Sequence, residues 1–160
     1  MYFPYLRGKQ FDLIVVRENA ECMASAGFVP IVEPVKEAMG GLGRAIDAVS
    51  AADGEMILIL NPQNGDYTGK IIQPDIAGKK GISPGVMLTE ETSLGDVEEI
   101  YQSNDSSLIT FVHAGFSDGN TLSTFINKRN INARHIFIDG FGGKLYRKYF
   151  TGAPRVLLRD

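Results

Sequence analysis

Short runs of apolar and β-branched residues recur along the chain, and their starting points lie 20 to 29 residues apart. Six of them predict β-strands, at residues 28–33, 56–61, 85–89, 108–113, 135–139 and 155–159. The run Ile57-Leu58-Ile59-Leu60 contains no polar position, which is typical of a strand covered on both faces. Because such strands occur mainly in parallel sheets, whose neighbours need long crossover connections, the pattern predicts alternating strands and helices.

Helical periodicity fills several of the intervals. Apolar residues recur every three or four positions over residues 35–49, which predicts a helix with Pro34 in its first turn. The segment 11–26 combines strand propensity with a helical stripe, and we predict a helix that ends at Gly27. Residues 62–80 show no periodicity, which predicts a long loop of the kind that often carries function. Further helices are predicted over residues 94–102, 121–128 and 144–150.

Repeated strand–helix units are compatible with two architectures. The first is a parallel (β/α) barrel of the TIM type, partial or complete, and the second is an open doubly wound sheet. A complete barrel has eight strands and typically about 250 residues, whereas this chain has 160 residues. We therefore predict a single (β/α) domain over residues 1–160, either whole or the N-terminal part of a longer barrel. If 160 residues is the natural length, uncovered strand edges predict self-association.

Composition narrows the class of protein without defining a function. Hydrophobic residues make up 44% of the chain and charged residues 22%, as in globular domains, and the formal net charge is −3. A protein that generally coats nucleic acid carries an excess of basic residues, which this chain lacks, although a local basic patch remains compatible with the composition. The single cysteine, Cys22, excludes an intrachain disulfide, and we expect it to be buried against a helix neighbour. No signal-peptide pattern and no membrane-length apolar run is present in the sequence, so we expect a cytoplasmic protein.

The N-terminal part of the chain carries a specific motif. It consists of Tyr-Phe-Pro-Tyr-Leu-Arg-Gly-Lys-Gln at residues 2–10 and Val-Pro-Ile-Val-Glu-Pro at residues 29–34, followed by Leu-Asn-Pro at residues 60–62. This arrangement resembles the start of the bacterial "beta protein" family. The resemblance implies a (β/α)-barrel-like fold in proteins that are mostly longer than this chain. It also implies a nuclease-like protein partner in mobile elements or phage defence, and it implies no particular activity.

Polar or ionisable residues stand at the ends of all six predicted strands. Parallel α/β folds bind ligands at the carboxyl ends of their strands, so such residues predict a ligand site if the strands adjoin. The alternative is that they are ordinary solvated strand ends. The residues are Glu33, Asn61, Glu90, His113, Asp139 and Asp160.

This set suits a definite chemistry. The carboxylates of Glu33, Glu90 and Asp139 are oxygen ligands of the kind that Mg²⁺ or Mn²⁺ prefers. His113 is suited to general acid–base catalysis near neutral pH, beside Glu33 and Asp139 as catalytic carboxylates. The leading hypothesis is a protein that binds a small anionic or phosphorylated ligand at the strand ends, with metal-assisted hydrolysis as the reaction if it is an enzyme. The alternative is a non-catalytic module that works with a nuclease-like partner.

Cationic residues near the N-terminus extend the predicted ligand-binding set. Arg7 and Lys9 lie in the motif described above and Arg17 follows, so they are candidates to contact a phosphate or carboxylate. They join Asn61 and Glu90 as predicted ligand-binding residues. The alternative for Lys9 is a solvated N-terminal arm.

Two further features lie in the C-terminal half. The glycine-rich stretch 140–144 stands between a predicted strand and a predicted helix, so it is either an anion-binding loop or a tight turn. His135 stands at the start of a predicted strand, and we assign it a structural role at the sheet edge opposite His113. The last fifth of the chain is basic and could contact nucleic acid or an acidic partner, through Lys144, Arg147, Lys148, Arg155 and Arg159.

Overall fold

A computed structural model describes residues 1–104 and 108–159, so the strand-end residue Asp160 lies outside the described part. The described residues form an α/β fold in which parallel strands alternate with helices, which confirms the predicted class. The strands are β1 (Tyr5–Leu6), β2 (Ile31–Val32), β3 (Met56–Ile59), β4 (Ile82–Leu88), β5 (Ile109–His113), β6 (Ala133–Ile138) and β7 (Arg155–Leu158). The helices are α1 (Gln10–Glu18), α2 (Ala20–Ala26), α3 (Gly40–Ala51), α4 (Leu94–Ser103), α5 (Gly119–Lys128) and α6 (Lys144–Arg147).

The structure divides into two compact units, an N-terminal unit (Met1–Pro84) and a C-terminal unit (Gly85–Asp160). Short 3-10 turns add to each of them, at Gly65–Tyr67 in the first and at Lys148–Phe150 in the second. None of the helices within the described ranges is long and apolar enough to span a lipid bilayer.

The N-terminal unit is built on the parallel strands β1, β2 and β3. Their register places Tyr5 beside Ile31 and Ile31 beside Ile57, so these three side chains share one face. All four residues of β3 are buried, as its uninterrupted apolar sequence predicts for a strand covered on both faces. Helices α1 and α3 pack together and bury the apolar residues that the periodicity identified, including Leu13, Val16, Leu42, Ile46 and Val49.

The C-terminal unit contains the parallel strands β5, β6 and β7 and the part of β4 that begins at Gly85. Helix α4 opens with a capping box, in which the Ser93 side chain accepts from the Asp96 N–H and the Asp96 carboxylate accepts from the Ser93 N–H. Helix α5 opens in a related way, because the Asp118 carboxylate accepts from the Thr121 N–H at 3.1 Å. Local hydrogen bonds therefore determine where both helices begin.

The predicted helix over residues 35–49 begins later than its periodicity suggested. Helix α3 starts at Gly40, and residues after Pro34 form a loop. Val35 is buried, and its carbonyl accepts a hydrogen bond from the Asp66 N–H at 3.0 Å. Val35 is therefore buried in the core although it belongs to a loop. A helical spacing of apolar residues does not by itself show whether the first of them lies in the helix or in the loop before it.

The predicted helix over residues 11–26 is present as two helices, α1 and α2. They are separated at Asn19, whose side-chain Nδ2 donates to the Val15 carbonyl at 2.9 Å. Gly27 ends α2 in the left-handed conformation with φ of 70°, as predicted. The expectation that Cys22 is buried was wrong, because it lies on the exposed side of α2.

Candidate functional site

A buried carboxylate holds together three segments of the N-terminal unit. Glu33, directly after β2, has none of its surface exposed. Its Oε1 accepts from the backbone N–H groups of Gln63 at 2.7 Å and of Asn64 at 3.1 Å, and the Asn64 Nδ2 donates to the same atom. The Tyr5 hydroxyl donates to Oε2. Burial raises the pKa of Tyr5, and the bond to Glu33 raises it further, so the phenol remains a donor.

These bonds predict that Glu33 stabilises the fold. Substituting Glu33→Ala leaves two backbone N–H groups and the Tyr5 hydroxyl without their acceptor, so we expect the free energy of unfolding to fall by about 1–3 kcal/mol. The measurement is urea unfolding of the variant beside Glu21→Ala, which removes an exposed carboxylate from α2 and should change stability by less than about 1 kcal/mol. Equal stabilities of the two variants would contradict the role of Glu33.

A cationic groove of about 760 Å³ opens in the same unit between α1, α3 and the loops that follow β1, β2 and β3. Lys9 follows β1, Lys36 follows β2 and Asp66 follows β3, so the groove lies where the strands end. Arg17 of α1 and Arg44 of α3 complete the cationic lining. The location agrees with the general preference of parallel α/β folds for ligand sites at the carboxyl ends of strands.

The groove has an excess of positive charge that the protein does not fully neutralise. Two carboxylates, Glu37 and Asp66, also line it, which leaves the lining with a formal charge of +2. Lys36 lies 4.0 Å from Asp66. By contrast, neither Lys9 nor Arg44 forms an ion pair with any residue that the structure describes. The groove therefore offers two uncompensated cations to an anionic ligand.

Apolar side chains form another part of the groove. Leu13 and Ile14 of α1 line it, and the Phe11 side chain at its side is 80% exposed. A large apolar residue exposed to this degree beside cations suits a ligand that carries both an anionic group and an apolar part. The groove therefore suits a more specific class of ligand than the small anion predicted from the sequence.

In the C-terminal unit, two buried histidines and a tyrosine form a continuous line of hydrogen bonds. The His113 Nδ1 lies 2.7 Å from the Tyr146 hydroxyl, and its Nε2 lies 2.9 Å from the Nδ1 of His135. The predicted placement of His135 at the opposite edge from His113 was wrong. Strand β6 begins at Ala133 instead of residue 135, and the register sets Phe111 beside His135 and His113 beside Phe137.

Aromatic rings surround this line and keep it neutral. His113 stacks on Phe137 with 4.4 Å between ring centroids, and Phe150 lies 4.5 Å from His135. Burial lowers the pKa of His113 to about 2, with a further contribution from His135. Burial also lowers the pKa of His135 to about 4, and the charge of Arg155 adds to this effect.

The histidine line leads to a cavity. His135 lines a space of about 520 Å³ together with Ser123, Asn127 and Tyr149. Because the Nδ1 of His135 is bonded to His113, its Nε2 is the ring nitrogen that remains for this cavity. A neutral imidazole accepts at one nitrogen and donates from the other, so each ring can donate one hydrogen bond of this line and accept another.

The other predicted strand-end residues have different surroundings. Asn61 is buried, and its backbone carbonyl accepts from the Gln63 side chain at 2.7 Å. Glu90 is exposed after β4. Asp139 is exposed after β6, with its carboxylate 4.0 Å from Arg159. Arg7 is exposed directly after β1. Its positive charge lowers the pKa of Tyr5, but by less than burial and Glu33 raise it.

Two of the ligand predictions find no counterpart in the structure. Within residues 1–104 and 108–159, no group of three or more His, Cys, Asp or Glu side chains could hold a metal ion, so the metal set of Glu33, Glu90 and Asp139 gains no support. The glycine-rich stretch 140–144 precedes α6, which has only four residues. Such a short helix aligns too few peptide groups to attract an anion strongly at its start.

Some residues of the two sites could not be identified from the sequence. Lys36 stands next to the N-terminal motif, and Arg44 lies on the predicted helix, but only the fold brings the loop after β2 and helix α3 to one groove. Tyr146 is 33 residues from His113 along the chain.

Comparison with protein-family models, curated proteins and solved structures finds no match for this chain. The resemblance to the beta protein family therefore stays a prediction.

Proposed function

We propose that the N-terminal unit binds a small ligand that carries a phosphate or similar anionic group and an apolar part. The observation that carries this proposal is the convergence of Lys9, Arg17, Lys36 and Arg44 on one groove at the strand ends. A phosphate accepts hydrogen bonds from lysine and arginine with the strength of charge-assisted pairs. The exposed ring of Phe11 is available to the apolar part.

Binding without a hydrolytic step is the function that the contacts favour. Both carboxylate oxygens of Glu33 already accept hydrogen bonds from the protein. Both ring nitrogens of His113 are likewise engaged, by Tyr146 and His135. A general acid or base needs a nitrogen or oxygen within reach of the substrate, so we do not include these residues in the proposed function. The interaction module with a nuclease-like partner stays a prediction.

The test uses adenosine monophosphate and inorganic phosphate as probes, with calorimetric titration and thermal unfolding of the full chain. We expect adenosine monophosphate to bind and to raise the Tm, because a ligand that binds only the folded state stabilises it. Inorganic phosphate, which has a similar charge but lacks an apolar part, should bind more weakly. The double variant Lys9→Ala, Arg44→Ala should lose at least about tenfold in affinity, or about 1.4 kcal/mol.

The matched control is the double variant Lys79→Ala, Lys80→Ala. It removes the same charge from two surface lysines of the N-terminal unit, which pair with Asp47 and Asp53 outside the groove lining. Its affinity for adenosine monophosphate should remain within about twofold of the parent. No binding of either probe, or an equal loss in both double variants, would overturn the proposal.

A further inference from the structure

A second concentration of positive charge lies in the C-terminal unit. Residues 140–158 contain Lys144, Arg147, Lys148 and Arg155 and no aspartate or glutamate. This stretch has a formal charge of +4 in a chain of net charge −3, so the remaining residues together carry −7. Separation of charge on this scale produces a local positive field that the net charge conceals.

The fold gathers these four cations around one groove. Lys144 and Arg147 of α6, Lys148 of the following 3-10 turn and Arg155 of β7 line a space of about 400 Å³. Apolar side chains of Phe137 and Leu157 line the rest. The Arg155 Nη1 donates to the Arg147 carbonyl at 3.4 Å, which ties the strand to the helical segment. The groove follows β7, which is the last strand of the sheet order.

Within the described residues, no ion pair neutralises the cations of this groove. No carboxylate among the residues that the structure describes forms an ion pair with Lys144, Arg147 or Lys148. The nearby pair of Arg159 and Asp139 is formed outside the groove lining. Four like charges in one groove repel each other in the free protein, and a ligand with several regularly spaced negative charges would relieve that repulsion.

Exposed aromatic rings lie in the same segment of the chain as the cations. Tyr149 is 49% exposed and Phe141 is 47% exposed. Neither is among the residues that line the groove, and Tyr149, which directly follows Lys148, lines the cavity of His135. Unpaired bases stack on such rings, whereas the bases of a duplex are already stacked on each other. Cations along a groove with exposed rings beside them are the combination that binds single-stranded nucleic acid without sequence preference.

We propose that this groove, formed by Lys144, Arg147, Lys148 and Arg155, binds single-stranded nucleic acid together with the exposed ring of Tyr149, which directly follows Lys148 and lines the cavity of His135. The phosphates contact the four cations and a base stacks on Tyr149. Binding is independent of sequence, because none of these contacts reads the edge of a base. The proposal is separate from the anionic ligand of the N-terminal unit and does not rest on it.

The test is fluorescence anisotropy of a labelled oligothymidylate of about 20 nucleotides, a length that exceeds the site sizes of known single-strand binding folds. With three or four phosphate contacts, the affinity should fall about 20–50-fold between 50 and 200 mM salt. Lys144→Ala with Lys148→Ala should reduce both the affinity and the steepness of the salt dependence. Tyr149→Leu should lower the affinity at least about fivefold and leave the salt dependence unchanged.

One control separates this surface from other charges. The variant Lys79→Ala, Lys80→Ala removes equal charge elsewhere and should bind the oligonucleotide like the parent. No binding at 50 mM salt, an equal loss in both double variants, or no loss in Lys144→Ala, Lys148→Ala would overturn the proposal. So would equal binding of polyglutamate at the same groove, which would assign it to an acidic protein partner, or a preference for duplex DNA.

Discussion

Lowering the pH from 7 to 5 is expected to reduce the free energy of unfolding by about 3–4 kcal/mol. The folded protein holds His113 and His135 neutral, with pKa values of about 2 and about 4. In the unfolded chain both imidazoles titrate near their ordinary pKa of about 6.5. Below that pH the unfolded state binds protons that the folded state does not, so stability is complete above pH 6.5 and is lost as the pH falls.

The chain contains only two histidines, which makes the test direct. Urea unfolding at several pH values from 7 to 5 gives the slope of stability, in a range where carboxylates of ordinary pKa remain ionised. Histidine proton resonances of the native protein report the same two side chains. We expect neither to titrate between pH 5 and 8, and a midpoint near 6.5 for either would contradict their buried neutral state.

A variant distinguishes the histidines from other titrating groups. His113→Gln with His135→Gln replaces both imidazoles with amides, which remain neutral at every pH and can still form hydrogen bonds. Its absolute stability is expected to be lower, but its loss of stability from pH 7 to 5 should be much smaller than that of the parent. The same slope in both proteins would assign the pH dependence to other residues.

The second large effect is expected at Gly65, in the loop after β3. Its φ is +78°, and a β-carbon there would lie 2.1 Å from the Val35 carbonyl oxygen. That oxygen also accepts the Asp66 N–H, so the two loops cannot separate without losing a hydrogen bond. The left-handed backbone costs an alanine about 1–2 kcal/mol, and overpacking adds about 1–3 kcal/mol. We expect Gly65→Ala to lower the free energy of unfolding by about 3 kcal/mol or more.

Gly69 provides the matched control. It has nearly the same backbone, with φ of +73°, but apart from its chain neighbours no heavy atom of the described residues lies within 4 Å of the position of an added β-carbon. Gly69→Ala should therefore cost only the conformational penalty of about 1–2 kcal/mol. Because Asp66 follows Gly65 and lines the groove beside Lys36, Gly65→Ala should also change the affinity for adenosine monophosphate, whereas Gly69→Ala should not. Equal stability of the two variants would contradict the close approach to Val35.

Local sequence signals determined where most of the elements lie. The apolar run of β3 requires cover on both faces, and the left-handed turn at Gly27 ends α2, so both follow from a few neighbouring residues. The capping box of α4 is likewise contained in the four residues from Ser93 to Asp96. Such features depend on backbone preference and burial, which act over one or two turns of the chain.

The candidate sites depend on contacts that the sequence alone does not contain. Glu33 bonds to Asn64 across 31 residues, and His113 bonds to His135 across 22. A difference of two residues in the start of β6 was enough to misplace His135 relative to His113. Strand register and helix packing decide which distant side chains meet.

The sequence by itself determined the class of fold, the alternation of strands and helices and the local excess of positive charge near the C-terminus. Only the tertiary structure decided that Lys9 and Arg44 border one groove and that both histidines are buried in one line with Tyr146. The physical reason is the distance along the chain over which each kind of interaction acts. Hydrophobic period and capping are properties of neighbouring residues, whereas pKa shifts and convergent charge arise from burial and from the approach of residues that are far apart in the chain.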